Sequence, residues 1–372
     1  MAVLDARVFA ISQLELLRSS RGRLASVLLL HPHDTSIFSR DSTPAGEVHS
    51  LGIFAIAITA GIFVSVAILL FYTVLKYRRR AGDINEPPQI FGSTQIELAW
   101  TIIPILLIFV LFLGTTRVIF AVQDAPKPKN ALDVTAIGHQ FWWEFRYPTL
   151  GIVTANELHV PLSDANAPMP TFLKLTSADV IHSFWVPRLA GKTDLLPNRV
   201  NEMWIDPHET GLYEGQCAQF CGAQHAKMLL RIYVDSPEQF RSWVATQQET
   251  QQSHTSVEAA TNALPTNATP AANAQDNTSA ITPQQGRRVF EEQACMNCHT
   301  IAGTAANGRY GPDLTHLMSR DTLGSGIVPN GPQNLLAWIV DPNNMKPGTL
   351  MPAMHLTDVQ NKQLVAYLTT LR

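Results

Sequence analysis

Residues 217–228, within the stretch "GQCAQFCGAQHAKM", hold two cysteines, a histidine and a methionine. Cys217 and Cys221 are four apart, His225 follows four later and Met228 three after that. Thiolate, imidazole and thioether donors together favour copper over hard cations. Two cysteines so spaced on one loop can place both sulfurs between two metal ions. His225 can then cap one ion, and Met228 can lie at a weak axial position. A second histidine has to come from elsewhere, and "SADVIHSFWVP" supplies His182 at a strand end. The same residues also describe a Cys₂His₂ zinc site, and the loop alone leaves both readings open.

The chain has four cysteines, and the other two stand in Cys295-Met-Asn-Cys298-His299. Outside a membrane an even count first suggests disulfides, but C-x-x-C-H is the pattern of covalent c-type haem attachment. The two thiols add to the haem vinyl groups, and His299 is placed to ligate the iron. A thioredoxin-like C-x-x-C is the competing reading. It is disfavoured because a short helix, "QQGRRVFEEQA", precedes the motif and no βαβ pattern surrounds it. A second axial ligand is commonly methionine, and "KPGTLMPAMHL" offers Met345 just upstream of it, Met351 and Met354. His316 and His355 are read as surface residues.

Several kinds of element have to hold these groups. The 46% hydrophobic content is unevenly spread, because residues 51–75 and 98–116 carry no charge at all. Each is long enough to cross the roughly 30 Å hydrocarbon layer as a helix. A hairpin over 49–121, with spans at about 51–75 and 96–120, follows. Lys76, Arg78, Arg79 and Arg80 between the spans keep that connection cytoplasmic and put everything after about residue 121 outside. Segment 1–48 gives no clear signal sequence. Residues 122–247 carry short β-branched and aromatic runs ("LDVTAI", "FWWEFRY", "TFLKLT", "VNEMWI", "LLRIYV") parted by Pro, Gly and Asn, as in a sandwich or barrel. Ser-Pro at 236 opens a closing helix that the sequence carries to about 248. Residues 248–282 lack large apolar side chains and read as a flexible linker. Such a tether would hold the last domain, 283–372, at an effective concentration on the order of millimolar. A net charge of -3 gives no reason to propose nucleic-acid binding.

From about residue 48 to 372 the chain resembles subunit II of the haem–copper cytochrome c oxidases, in the form with a fused cytochrome c domain. The resemblance runs through "IELAWTIIP", "GHQFWWEF", "DVIHSFWVP", "KTDLLPNRVN", "GLYEGQC", the cysteine loop and the C-x-x-C-H segment, in order. It implies a two-helix transmembrane hairpin, then an all-β cupredoxin domain, then an all-α class I cytochrome c domain. The implied cofactors are a dinuclear copper centre, copper A, and haem c. The copper ligands carry over to His182, Cys217, Cys221, His225, Met228 and the backbone carbonyl of Gln219. The haem would be held by Cys295, Cys298, His299 and Met351, the last because the ligand loop of class I cytochromes places its methionine before proline. Gly286, Phe290, Tyr367 and the carbonyl of Pro312, facing His299, belong to the same resemblance. Glu97 matches a position associated with proton entry to a channel of subunit I.

Two positions depart from the family pattern. The family commonly has glutamate at 219, where it helps bind magnesium, and glutamine removes that charge. The tryptophan that usually follows "GHQ" and admits electrons from soluble cytochrome c is Phe141. The resemblance implies an electron-transfer subunit of an oxidase that itself binds no oxygen. Its expected partners are subunits I and III and an external cytochrome c or membrane donor complex. The expected location is a bacterial plasma membrane, with the copper and haem domains on the outer side. The copper A subunit of a nitric oxide reductase is the neighbouring alternative. A membrane-tethered copper chaperone is a different class, but it has no use for Met228 or a covalent haem. Quinol-oxidising relatives lack the cysteines, which makes quinol a poor candidate donor.

Overall fold

The computed structural model describes residues 35–80, 82, 86, 89, 91–124, 127–164, 166, 168–262 and 281–372, with the backbone alone over 250–262. Residues 1–34 of the unassigned N-terminal segment and 263–280 of the expected linker lie outside the described residues. Two long helices come first, α1 (Thr43–Lys76) and α2 (Thr94–Gln123). Both are long and apolar enough to cross a membrane, and their apolar stretches are exposed rather than buried in protein. At 1.5 Å per residue they reach about 51 and 45 Å, longer than the hydrocarbon layer alone requires. α2 stays helical through Pro104.

The start of α1 and the end of α2 are tied to the β domain by hydrogen bonds. Asp206 N donates to Ser42 Oγ at 2.8 Å and His208 N to Asp41 O at 2.8 Å. Trp204 Nε1 donates to Val122 O at 2.7 Å, which fixes the exit of α2. The start of α1 and the end of α2 therefore lie on the side of the β domain, and the basic connection lies at the opposite end.

The β domain is a two-sheet sandwich. One sheet has the order β3-β2-β1-β5-β8 and the other β4-β10-β9-β6-β7. The strands are β1 (Leu132–His139), β2 (Trp142–Tyr147), β3 (Ile152–Ala155), β4 (Glu157–Pro161), β5 (Thr171–Ser177), β6 (His182–Trp185), β7 (Thr193–Leu195), β8 (Asn201–Ile205), β9 (Gly211–Cys217) and β10 (Leu229–Asp235). β1 pairs parallel to β5, and β4 parallel to β10. Alternate residues of β5 (Thr171, Leu173, Leu175, Ser177) are buried, the period of two expected of a strand with one covered face. Between the sheets pack Trp143, Phe145, Tyr147 and Phe184, each essentially without exposure. The all-β expectation is borne out.

The closing helix α3 (Pro237–Asn262) lays Phe240 and Trp243 against this core. It does not stop at about 248 as the composition suggested. Its helical backbone extends through 262, into the stretch read as linker.

The last domain is helical: α4 (Pro283–Glu292), α5 (Cys295–Cys298), α6 (Pro332–Val340), α7 (Pro342–Met345) and α8 (Asp358–Leu368), with a two-residue ladder of β11 (Thr322–Leu323) on β12 (Val328–Pro329). Thr357 and Gln360 form a reciprocal capping box at the start of α8. α4 crosses α8 at very short range, because a Cβ on Gly286 would stand 1.9 Å from Gln363 O. Phe290 and Tyr367 meet across this crossing with ring centroids 6.0 Å apart. One surface reading is corrected. His316 is only 2% exposed, with Nδ1 3.3 Å from Arg372 O, because it is folded under the C-terminal strand of chain. His355 is exposed.

Candidate metal centres

The first cluster sits where three elements meet. His182 opens β6, Cys217 ends β9, and the loop from there to β10 carries Gln219, Cys221, His225 and Met228. β6 pairs with β9, which brings His182 beside the loop. Gly138 makes room for the imidazole, since a Cβ there would lie 2.7 Å from His182 Cδ2.

The donors form a compact set. Cys217 Sγ and Cys221 Sγ are 3.8 Å apart. His182 Nδ1 lies 3.8 Å from Cys217 Sγ, and His225 Nδ1 lies 3.8 Å from Cys221 Sγ. Met228 Sδ is 3.9 Å from Cys221 Sγ, and Gln219 O is 3.2 Å from Cys217 Sγ. Sulfur therefore occupies the centre and each imidazole caps one flank. This set suits two soft ions sharing two thiolates, and the central sulfur pair with its additional thioether and carbonyl is more than a four-ligand zinc site needs.

Cys217 gives up its proton readily, chiefly because the Cys221 thiol donates to it, while Cys221 holds its proton against that neighbour. Asp179, which the sequence reading did not single out, accepts from His182 Nε2 at 2.8 Å. Burial disfavours the His182 imidazolium, yet the Asp179 bond and the Cys217 sulfur outweigh it and raise the pKa. The same bond fixes the tautomer that leaves Nδ1 facing the sulfurs. The signal was present in "SADVIH", an acid three residues before a histidine.

The second cluster is an apolar crevice lined by Cys298, His299, Leu317, Leu335, Trp338 and Met351. His299 Nδ1 lies 2.7 Å from Pro312 O, which keeps the proton there and leaves Nε2 as the free lone pair. Burial pushes the His299 pKa down, so the imidazole is neutral, as an iron ligand must be. A Cβ on Gly311 would stand 2.4 Å from His299 Cε1, so only glycine lets the chain pass over the ring. Of the three methionines, Met351 alone lies in the crevice with His299, and its Sδ is 3.2 Å from Trp338 Nε1. Cys295 is not among the residues lining the crevice; it is half-buried and packs against the apolar core of the domain. The residues fit a haem held by two thioethers and two axial ligands.

The β sandwich supplies part of this crevice's wall. Gln140, Phe141, Trp142 and Gln224 line it alongside the helical domain. The last domain is thus seated on the β domain. Glu157 accepts from Asp321 N at 3.0 Å, Thr322 N at 2.9 Å and Thr322 Oγ1 at 2.8 Å. Lys346 Nζ donates to Phe141 O at 3.0 Å. Burial first, and then the Lys227 ammonium, pushes the Lys346 amine down to about 7. Neither Glu157 nor Lys346 was singled out in the sequence, where nothing marks an acid or a lysine as buried between domains.

Glu97 belongs to neither cluster. It stands exposed in the first turn of α2, about 40 Å along that helix from its far end.

Three family models match in order: cytochrome c oxidase subunit II transmembrane domain over 35–116, its periplasmic domain over 166–235, and cytochrome c over 283–372. Cytochrome c oxidase subunit 2 of Alkalihalophilus pseudofirmus is 34% identical over 325 residues, covering 86% of this chain and 86% of the relative. Its counterpart in Bacillus sp. (strain PS3) is 32% identical over 351 residues, covering 88% of this chain and 90% of the relative. Among solved structures, the periplasmic domain of cytochrome oxidase subunit II of Bradyrhizobium japonicum is 32% identical, with a TM-score of 0.31, covering 33% of this chain and 96% of its own. By the two long relatives and the ordered family matches, the chain belongs to the cytochrome c oxidase subunit II family, in the form that continues into a C-terminal cytochrome c domain.

Proposed function

We propose that this chain is the electron-entry subunit of a proton-pumping terminal oxidase in a bacterial plasma membrane, with its metal domains on the outer face. His182, Cys217, Gln219 O, Cys221, His225 and Met228 would hold copper A, and Cys295, Cys298, His299 and Met351 would hold haem c. When bound, the two groups would supply one-electron storage for electrons that a cytochrome c or membrane donor complex delivers and that subunit I uses to reduce oxygen. The chain's own work is to hold its ligands rigid, keep His182 and His299 in the required tautomers and exclude water from both pockets. The observation that carries this reading is the six-donor cluster around the Cys217–Cys221 pair, seated beside a C-x-x-C-H crevice in one chain. The purified complex should consume oxygen with reduced cytochrome. Turnover with nitric oxide alone, and none with oxygen, would replace the oxidase reading with the reductase one.

Glu97 is assigned the gathering of protons at the cytoplasmic end of α2, because an ionisable side chain at such a mouth is a functional candidate. Glu97→Ala should slow oxygen turnover several-fold while both centres are still reduced at the parent rate, and Glu97→Asp should recover part of the loss. Parent turnover in both variants would reduce Glu97 to a solvated interfacial charge.

A further inference from the structure

Gln224 lies between two residues of the copper-side cluster, Cys221 and His225, yet its side chain turns away from it. Its amide is 2% exposed and donates to Lys346 O at 2.9 Å and Pro347 O at 3.0 Å. A primary amide has two N–H bonds, and both are used on the segment that leads to Met351. The next residue, Gly348, takes a left-handed φ of 86°, and a Cβ there would stand 3.3 Å from Ala223 Cβ. The Gly348 backbone therefore packs against the side chains of Ala223 and Gln224.

The contact is returned from the other side. Lys346 is 3% exposed, and its ammonium reaches Phe141 O at 3.0 Å. The Phe141 ring stands where a Cβ on Gly222 would be 3.0 Å from its Cε1. The adjacent Gln140 amide donates to Cys221 O at 2.6 Å. Cys221, Gln140, Phe141, Lys346 and Gln224 thus close a ring of backbone links and hydrogen bonds that runs through both domains.

Resting on the two-centre reading above, we propose that Gln224 and Lys346 are positioning residues that couple the two centres mechanically. Metal binding, which fixes Cys221 and His225 on either side of Gln224, orders the loop bearing Met351, and the ring transmits that order. Burying these donors merely to satisfy them would require no such response. The difference lies in whether one loop senses the occupancy of the other.

The test is hydrogen exchange on the full chain with haem attached, copper-loaded and copper-depleted. The amides of Lys346, Gly348 and Thr349 report on the methionine loop, bonded as they are to Pro342 O, Asn343 Oδ1 and Lys346 O. Copper should slow their exchange about tenfold, the equivalent of one or two hydrogen bonds made more persistent. In Lys346→Met and in Gln224→Met, which remove the donors and keep the bulk, that copper-dependent slowing should vanish. Amides of β5, remote from the ring, should exchange alike in every sample. Equal exchange with and without copper in the parent overturns the coupling. So does full copper-dependent slowing in Lys346→Met, whose position in the sequence is far from the copper loop. A parent chain that shows no shared-copper paramagnetic signal would instead sink the copper reading itself.

Discussion

Replacing either Cys217 or Cys221 with serine is expected to abolish the copper pair. The two sulfurs sit 3.8 Å apart with an imidazole outside each, so both ions depend on both thiolates. A serine hydroxyl is harder, stays protonated near neutrality and cannot bridge two soft ions. Changes one shell further out already cost about 10–100-fold in metal affinity, and loss of a bridging ligand should cost more. The fold should survive, because serine is nearly isosteric with cysteine and the sandwich core is built chiefly from other side chains. Paramagnetic resonance of the parent should show one unpaired electron shared by two coppers, and each variant should lose it while keeping its haem spectrum. A persisting shared-electron signal in Cys217→Ser, or stoichiometric zinc in copper-loaded parent, would refute the assignment.

Gly286→Val is the second large effect, and it acts on the other domain. The added Cβ would lie 1.9 Å from Gln363 O and 2.7 Å from Gln363 C, which are backbone atoms of α8. No rotamer relieves such a clash, so α4 and α8 have to separate, and the Phe290–Tyr367 contact goes with them. Overpacking typically costs about 1–3 kcal/mol, and a backbone collision belongs at or above the top of that range. A domain of this size has only about 5–13 kcal/mol of stability to lose. The expected result is a chain that keeps its copper signal but is recovered with little haem stain. Parent haem content and parent thermal stability in Gly286→Val would show that the crossing is looser than described.

Much of this architecture was legible because its signals are local. A charge-free run long enough to cross a membrane marks a span without any tertiary knowledge. The C-x-x-C-H motif and the Cys217–Met228 loop each gather their donors within a few residues. His182 lies 35 residues from Cys217, and only the pairing of β6 with β9 brings it to the loop. Choosing Met351 over its neighbours needed the family resemblance. Of the sandwich strands, β3, β4, β7 and β9 went unread, and β3 and β7, four and three residues long, are too short for a period of two to show. The extension of α3 into an Ala-, Thr- and Gln-rich stretch was missed because polarity was read as disorder, although those residues tolerate a helix. The seating of the last domain was out of reach for a stronger reason. Glu157 and Lys346 become partners of backbone atoms some 165 and 205 positions away, and nothing in their neighbourhoods announces it.

The two apolar cores have a thermodynamic consequence. One collects Trp143, Phe145, Phe184 and their neighbours, the other Phe290, Leu335, Tyr367 and theirs, and among the described residues no side chain belongs to both. Between them run hydrogen bonds of Glu157, Gln224 and Lys346, beside the crevice wall that Phe141 and Trp142 supply. Cooperative melting needs a shared core, so heating should produce two calorimetric transitions rather than one. Ligands that bind only the native form raise the transition of the domain that holds them. Copper chelation should therefore lower the sandwich's transition by more than the helical domain's, and the gap between the two would measure how much free energy passes through these contacts.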